Sequence, residues 1–511
     1  MKKRGEMIMN EKVIIVASIF VLLGVSFFIG VTSKRSSSVQ GFIGSTKMFG
    51  PLITGLSSTA ALVSGMIMVG GTAGIYLNGN ALSLSAFLSC CFTAAYIFIG
   101  KRMRAIAEIG PVTSLGDIIA LRYKGNRVIK GFACAVIFIG CFAYLITQIA
   151  AGASLFSFLF GWPSLLTSGV IFGVVILYVM IGGESAGILS QAFQGALIVI
   201  VGIILCAVFF GRFGGFSGVM EAVAANPTIT GSNGVTANFS PRLLNAFGTD
   251  TLGAKANTWI LFSFVGVACQ PATLTRMYAI KEPRDLPYAG LVAAIAQGIA
   301  CFAATILGFS VMYLVAAGEI NPLAVADEAV WHLADYLGSV MNILIVASVM
   351  AAIISSASMY LSISASMLSK DILSCFRIHF KDQKQIRAYR IAIGVLGIIG
   401  IIVASTNSEM VITLGFLGWG TLMTVTLPVF VIGMVWKRAT QKGMMFAAVS
   451  AFILNIIALA LNQRGFVWPA GLPWYMYVIC FTTAGSILVS FLTYDEKKDC
   501  LDKKLEAVID L

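Results

Sequence analysis

The segment that decides the fold is GLSSTAALVSGMIMVGGTAGIYLNG, residues 55–79. It lies in an apolar stretch long enough to cross a membrane, yet its first half carries Ser57, Ser58, Thr59 and Ser64 and its second half is rich in glycine. Small residues allow helices to pack closely in a bilayer. They also allow a local break, whose freed carbonyl groups line a cavity instead of facing lipid. We therefore predict a broken membrane helix here.

The composition of the whole chain is that of a membrane protein. Of 511 residues, 58% are hydrophobic and 11% are charged, whereas a soluble protein has about a quarter charged residues. The predicted fold class is therefore an all-α polytopic membrane protein. At about 20 residues per helical span, we predict 13 transmembrane helices. They lie near residues 11–32, 50–76, 80–100, 129–156, 164–182, 190–211, 257–278, 287–317, 337–368, 389–406, 410–436, 441–462 and 474–494.

The positive charge predicts the orientation of these helices. With the N-terminus outside and the C-terminus cytoplasmic, 26 of the 34 Lys and Arg residues fall in the cytoplasmic loops and tail, as the positive-inside rule requires. The basic N-terminal tail, with Lys2, Lys3, Arg4 and Lys12, is the exception. The net charge of +12 is thus explained by membrane insertion, with the lipid bilayer as partner and no nucleic acid. We expect a multi-pass protein of the cell (plasma or inner) membrane.

A second broken helix is expected around Gln270-Pro271, inside the predicted span 257–278. A proline within a span removes a backbone hydrogen bond and kinks the helix, and Gln270 can satisfy the freed groups. Four spans separate the two broken helices, an arrangement typical of inverted repeats. The predicted domains are an N-terminal extra helix and basic loop (1–49), a first five-helix repeat (50–211), an extracellular loop (212–256), a second five-helix repeat (257–436), two C-terminal helices (437–494) and a cytoplasmic tail (495–511).

Polar residues inside spans are the candidates for a binding site. Tyr144 and Gln148 are one turn apart on one helix face, where they either contact a substrate or join helices. Ser355 and Ser356 form an adjacent pair that can reach an ion, whereas most other serines of this hydroxyl-rich helix are expected to pack. Residues 181–194 are predicted to form a tight glycine-rich cytoplasmic turn that enters a helix. The stretch 389–494 offers no site of its own.

The absence of several catalytic and nucleotide-binding motifs narrows the range of possible functions. We find no Asp or Glu deep inside a predicted span, and no HExxH, phosphate-loop or GxSxG motif, which argues against an enzyme and an ATP-driven pump. A neutral site of hydroxyl and carbonyl oxygens suits Na⁺. Broken helices supply such carbonyl groups, and their half-helix N-termini favour an anionic substrate group.

These residues resemble the sodium/solute symporter family, which includes bacterial proline, sugar, sialic acid, pantothenate and acetate carriers. The resemblance runs from about residue 35 to 440. The matching motifs are Gly55–Gly79, Thr113 to Asp117 with Arg122-Tyr123, Tyr144–Phe156, Gly182-Gly183 with Gln194, Gln270-Pro271 with Arg276, and Ala352 to Ser356. The resemblance implies a LeuT-type inverted-repeat fold with 13 helices.

The resemblance also implies where Na⁺ binds. The ligands would be the backbone carbonyls of Ala60, Val63 and Ala352 and the hydroxyls of Ser355 and Ser356. Some family members have a second Na⁺ site that uses an Asp in the fifth core helix. This chain has Gln191 at that position and Met359 in place of a hydroxyl residue of the same site, which implies a single coupled Na⁺.

The identity of the substrate is harder to infer from the resemblance, because Leu62 stands where the proline carriers have an Asp. The implied pocket is neutral, and its residues are Ser64, Gly65, Met66, Tyr144, Gln148, Ser263 and Gln270. A small organic acid fits it best, and a neutral polar solute also fits. We expect a secondary active transporter that couples Na⁺ movement to uptake of a small organic solute by alternating access. The alternatives are an H⁺-coupled or uncoupled solute transporter and a transporter-like membrane sensor.

Overall fold

The computed structural model describes residues 2–32, 39–43, 47–80, 94–239, 265–266, 269–406, 409–497 and 499–511. Helices dominate these residues. In chain order they are α1 Lys2–Thr32, α2 Val39–Ile43, α3 Pro51–Leu62, α4 Thr72–Asn78, α5 Lys101–Ile109, α6 Leu115–Arg122, α7 Arg127–Phe160, α8 Ser164–Arg212, α9 Gly215–Ala225, α10 Pro271–Ala279, α11 Leu286–Ala316, α12 Ala329–Tyr336, α13 Ser339–Ser366, α14 Leu373–Cys375, α15 Asp382–Ser405, α16 Val411–Thr426, α17 Gly433–Val435, α18 Gln441–Gln463, α19 Trp474–Thr493 and α20 Lys503–Ile509.

Shorter elements extend or connect these helices. The wider π-helical turns are Met66–Gly71, Tyr96–Gly100, Met367–Ile372 and Leu427–Ile432, and the 3₁₀ turns are Pro283–Asp285, Ala326–Glu328 and Pro469–Gly471. An antiparallel hairpin of β1 (Thr228–Thr230) and β2 (Thr236–Asn238) lies within the predicted loop 212–256. The described part of that loop thus contains α9 followed by this hairpin.

The membrane-length helices agree with most of the predicted spans. Among the described residues, nine helices are long and apolar enough to cross a membrane, and Pro51–Leu62 with Met66–Asn78 forms a further bent pair. Two predicted spans, 80–100 and 257–278, fall partly outside the described residues. Two others, 164–182 and 190–211, lie within the 49-residue helix α8. The number 13 therefore stays a prediction.

Helix α8 is broken at Gly183, where the sequence predicts a tight glycine-rich turn. Gly183 has φ 67° and ψ −165° inside the helix, a backbone conformation that a residue with a side chain rarely adopts. A Cβ atom there would also collide with the Phe42 carbonyl oxygen. The break divides α8, and Glu184 becomes the first residue of its second part.

Helix α3 lies at the centre of the helix bundle. It packs against α8, α11, α10 and α13, and its residues from Ser57 to Leu62 are buried. The hydroxyl residues that set this helix apart in the sequence thus face other helices. Several of them bond back to the preceding turn, as Ser58 and Thr59 do, which keeps their cost in a buried helix low.

Candidate functional site

The first predicted broken helix is present. Helix α3 ends at Leu62, and Val63 leaves the helical conformation with ψ 103°. The amides of Ile67 and Met68 both donate to the Ser64 carbonyl, at 3.0 and 2.9 Å, as the chain turns into the next half-helix. The two halves are bent by 55°. The break frees the last carbonyl groups of α3 from their usual helical partners.

The predicted Na⁺ ligands meet beside this break. The Ser355 hydroxyl donates to the Ala60 carbonyl oxygen at 2.6 Å and to that of Ala352 at 3.0 Å. The Ser356 hydroxyl lies 3.3 Å from the Ala60 oxygen and 3.0 Å from that of Ala61. Four predicted ligands therefore share one buried cluster of oxygen atoms.

The fifth predicted ligand, Val63, is the residue at the break itself, and the Ala61 carbonyl joins the cluster without having been predicted. Each hydroxyl now donates to a carbonyl group. Rotation of a hydroxyl hydrogen exposes its oxygen lone pairs, so that hydroxyl and carbonyl oxygens can face a cation together. In transporters with broken helices the C-terminal end of a half-helix coordinates Na⁺, and α3 ends at this cluster.

The predicted solute residues meet on the other side of the same break. The hydroxyls of Ser64 and Tyr144 are 2.6 Å apart, and Tyr144 also reaches the Met66 sulfur at 3.7 Å. The Gly65 amide donates to Gln148 Oε1 at 2.7 Å. Five of the seven predicted residues are thus brought together, and α7 supplies the polar face expected from the spacing of Tyr144 and Gln148.

Within the described residues, one further predicted residue, Gln270, is not joined to this group by a hydrogen bond. Gln270 is fully buried with an extended backbone directly before Pro271, the first residue of α10. The sequence predicts that its side chain satisfies freed backbone groups. Instead, neither side-chain polar atom of Gln270 has a hydrogen-bond partner among the residues that the structure describes. Ser263 lies outside the described residues.

Sequence reasoning missed an aromatic wall around Tyr144. The Tyr360 ring lies 4.5 Å from the Tyr144 ring, and the Trp419 ring lies 6.1 Å away and nearly parallel. Within the described part of the chain, Tyr360 Oη and Trp419 Nε1 have no hydrogen-bond partner. Trp419 belongs to the stretch 389–494, from which no contribution was expected. An aromatic residue in an apolar helix gives no sign of which helix it will meet.

A buried ion pair was also missed. Arg276 donates to Glu184 at 2.8 Å and to Gln191 Oε1 at 2.6 Å, and Glu184 accepts a hydrogen bond of 2.5 Å from Ser362. The sequence places Glu184 in a loop-like turn, but only 8% of it is exposed. A carboxylate does therefore reach the interior, at the end of a helix and paired with an arginine.

The chain is similar to several proteins whose function is known. The model of the sodium:solute symporter family matches residues 42–450. The chain is 25% identical to the sodium/pantothenate symporter of Escherichia coli (strain K12) over 464 residues, 88% of this chain and 90% of the relative. It is 24% identical to a sodium/proline symporter of Staphylococcus aureus (strain NCTC 8325 / PS 47) over 467 residues, 88% and 85% of the two chains.

A solved structure supports the fold. The outward-open structure of a Na⁺-coupled sialic acid symporter superimposes with a TM-score of 0.72 at 17% identity, covering 94% of this chain and 97% of the other. The predicted LeuT-type fold is thereby confirmed.

Proposed function

Because the chain belongs to the sodium:solute symporter family, it is a Na⁺-coupled secondary transporter of a small organic solute, and we propose that Na⁺ binds between α3 and α13. The proposed ligands are the carbonyl oxygens of Ala60, Val63 and Ala352 and the hydroxyls of Ser355 and Ser356. The observation that carries this assignment is the approach of both hydroxyls to the carbonyls at the broken end of α3. In transport, Na⁺ is the co-transported substrate.

The proposed solute site lies across the break and consists of Ser64, Gly65, Met66, Tyr144, Gln148, Ser263 and Gln270. Its neutrality and two half-helix N-termini, at Gly65 and at Pro271, favour a small organic acid, whose carboxylate is stabilised by the positive end of a helix. The side-chain amide of Gln270, which has no partner in the described part of the chain, offers a further donor. Pantothenate and proline, after which two relatives are named, both carry a carboxylate. Leu62 disfavours proline itself, and a neutral polar solute is the second candidate.

The proposed transport cycle is inward symport by alternating access across the cell membrane. The positive-inside bias supports an external N-terminus and a cytoplasmic C-terminus. The two broken segments support the division into repeats 50–211 and 257–436. In such folds the site stays near the membrane midplane while one repeat moves against the other.

Uptake into proteoliposomes tests the coupling. Labelled small carboxylates, amino acids, sugars and vitamins are first screened by thermal shift, each with and without Na⁺, and the best solute is then used for uptake. Uptake should require an inward Na⁺ gradient. Uptake driven equally well by a pH gradient in Na⁺-free buffer would support H⁺ coupling, and uptake that ignores both gradients would support a facilitator. Solute binding without any transport would support a sensor.

The hydroxyl of Tyr144 provides a test of the solute site. Tyr144→Phe removes the hydrogen bond to Ser64 and a buried donor that faces the proposed solute. Loss of one such bond costs about 1 kcal/mol, so the KM for the solute should rise about fivefold, while the Na⁺ concentration for half-maximal uptake should change less. Tyr123→Phe, which removes a buried hydroxyl bonded to the Val429 carbonyl oxygen instead, is the control. An equal rise in KM for both variants would contradict the assignment.

A further inference from the structure

A second polar cavity lies in the same bundle, away from the solute residues. It is small, with a volume of about 20 Å³, room for one water molecule or one ion, and its polar lining includes Glu184, Arg276, Ser362, Ser366, Thr113 and Ser114. Thr113, Ser114 and Arg276 lie in the segments 101–130 and 276–286, and Ser366 lies three residues before the segment 369–390. These segments hold seven, three and six Lys and Arg residues. By the positive-inside rule this cavity is on the cytoplasmic side.

A row of hydroxyls connects the proposed Na⁺ site with this cavity. Ser355, Ser358, Ser362 and Ser366 follow one another at spacings of three and four residues, so they share one face of α13. Ser355 touches the oxygen cluster of the Na⁺ site, and Ser362 and Ser366 line the cavity. At 1.5 Å per residue, Ser362 lies about 10 Å along the helix from Ser355.

The carboxylate of Glu184 is the negative charge in this cavity. One of its oxygens accepts from Arg276 and the other from Ser362. Two further buried atoms that line the cavity have no hydrogen-bond partner within the described residues, Ser366 Oγ and Arg276 Nε. Ser366 Oγ is the oxygen among these two, and a carboxylate beside such a hydroxyl oxygen offers the kind of ligands that a hard cation accepts.

The guanidinium of Arg276 already occupies the place of a cation beside Glu184. It is linked to the Na⁺ site through one side chain, because Gln191 accepts from Arg276 and donates to Ser358 Oγ at 3.2 Å and to the Ser355 carbonyl at 3.4 Å. A shift at Ser355 therefore reaches Arg276 through a single glutamine. The arginine stem lies on α10, which packs against α3.

We propose that Glu184, Ser362 and Ser366 form a second, transient Na⁺ station on the cytoplasmic exit route, which Arg276 fills while the route is closed. The proposal rests on the Na⁺ site at Ala60 and Ser355. When α10 moves away from α13, the guanidinium withdraws. Na⁺ that leaves the site at Ala60 and Ser355, here called the upper site, then passes the hydroxyl row to Glu184. There the carboxylate replaces the oxygen ligands that the ion has lost.

Side-specific Na⁺ dependence tests this station. Na⁺-dependent solute flux is measured in right-side-out and inside-out membrane vesicles that contain the full-length protein. Glu184→Gln removes a charged ligand, and the Na⁺ concentration for half-maximal flux from the cytoplasmic face should rise at least about tenfold. The value at the external face should stay unchanged. Arg276→Gln should have the opposite effect and lower the cytoplasmic Na⁺ concentration for half-maximal flux, because it frees the carboxylate.

The double variant Glu184→Gln/Arg276→Gln separates a station from a structural ion pair. Replacing both charges leaves no unpaired buried charge, which protein cores tolerate far better than the loss of one partner, so this variant is informative even if a single variant fails to assemble. The station predicts that the double variant keeps the weakened cytoplasmic Na⁺ dependence. Recovery of the wild-type value would overturn the proposal, and so would equal shifts at both faces.

Glu108→Gln is the matched control. Glu108 also pairs with an arginine, Arg104, and with Lys47, but 52% of its side chain is exposed, and its removal should change neither value. If the wild-type protein shows no Na⁺ dependence at the external face, the proposed Na⁺ site fails. If the wild-type protein is Na⁺-dependent but Glu184→Gln does not raise the cytoplasmic Na⁺ requirement, the station fails and the upper site stands.

Discussion

Ser356→Ala is expected to raise the external Na⁺ concentration for half-maximal uptake by about tenfold or more. The hydroxyl of Ser356 is one of the few oxygens that approach the freed carbonyls of α3, at 3.0 Å from Ala61 and 3.3 Å from Ala60. Alanine removes one oxygen ligand of the proposed Na⁺ site, and the loss of one polar contact to a charged group costs about 1.5–3 kcal/mol. Each 1.4 kcal/mol corresponds to a tenfold change in affinity. The measurement is uptake into vesicles over a range of external Na⁺ at fixed solute.

Ser364→Ala is the control for this variant. Ser364 is a fully buried serine of the same helix, and among the described residues its hydroxyl has no hydrogen-bond partner. Its removal deletes the same atom from the same helix without touching the oxygen cluster. Equal Na⁺ dependence in the two variants would count against the Na⁺ site, whereas loss of uptake in Ser356→Ala that high Na⁺ restores would support it.

Gly65→Ala should reduce solute uptake by about ten- to a hundredfold, because overpacking a buried site costs about 1–3 kcal/mol. A Cβ atom at position 65 would lie 2.5 Å from the Ala151 Cβ and 3.1 Å from Gln148 Oε1. A methyl group has no rotamer that avoids these atoms. The half-helix that begins at Gly65 must then move away from α7, which separates the Gly65 amide from Gln148 and Ser64 from Tyr144.

Gly173→Ala provides the comparison. Gly173 is also a helical glycine, but nothing lies within 4 Å of its added Cβ, so uptake should stay near the wild-type rate. Binding of the solute, measured by thermal shift on the purified proteins, distinguishes a damaged site from slow transport. Gly65→Ala with normal solute binding and normal uptake would show that the close approach of these two helices is not needed.

The broken helix at residues 55–79 was readable from the sequence because its cause is local. A membrane-length helix rich in hydroxyl residues and glycines is compatible with few structures other than a break buried in protein, since each backbone group that is exposed to lipid is costly. At Gly183 the sequence predicts a glycine-rich turn, also from a local signal, and the structure has a break inside one helix there. The shared face of Tyr144 and Gln148 was predictable as well, since it depends only on the helical repeat.

Partners far apart in the chain were predictable only through family resemblance. Ser355 lies 295 residues from Ala60, and nothing in the spacing of either helix indicates that they touch. The resemblance supplied that contact, and the structure brings four of those ligands together. It supplied no information on Trp419, which reaches Tyr144 from a helix without any polar signal.

Glu184 shows most clearly what could not be predicted from the sequence. In the sequence it follows two glycines in a segment read as a turn, and no carboxylate was expected inside a span. The structure buries it because Arg276 and Ser362 arrive from two other helices to satisfy both of its oxygens. The sequence by itself determined the class of protein, the position of the break and the neutral oxygen-rich character of the site. Only the tertiary structure decided which charges are buried, since burial of a charge depends on partners that helix packing supplies.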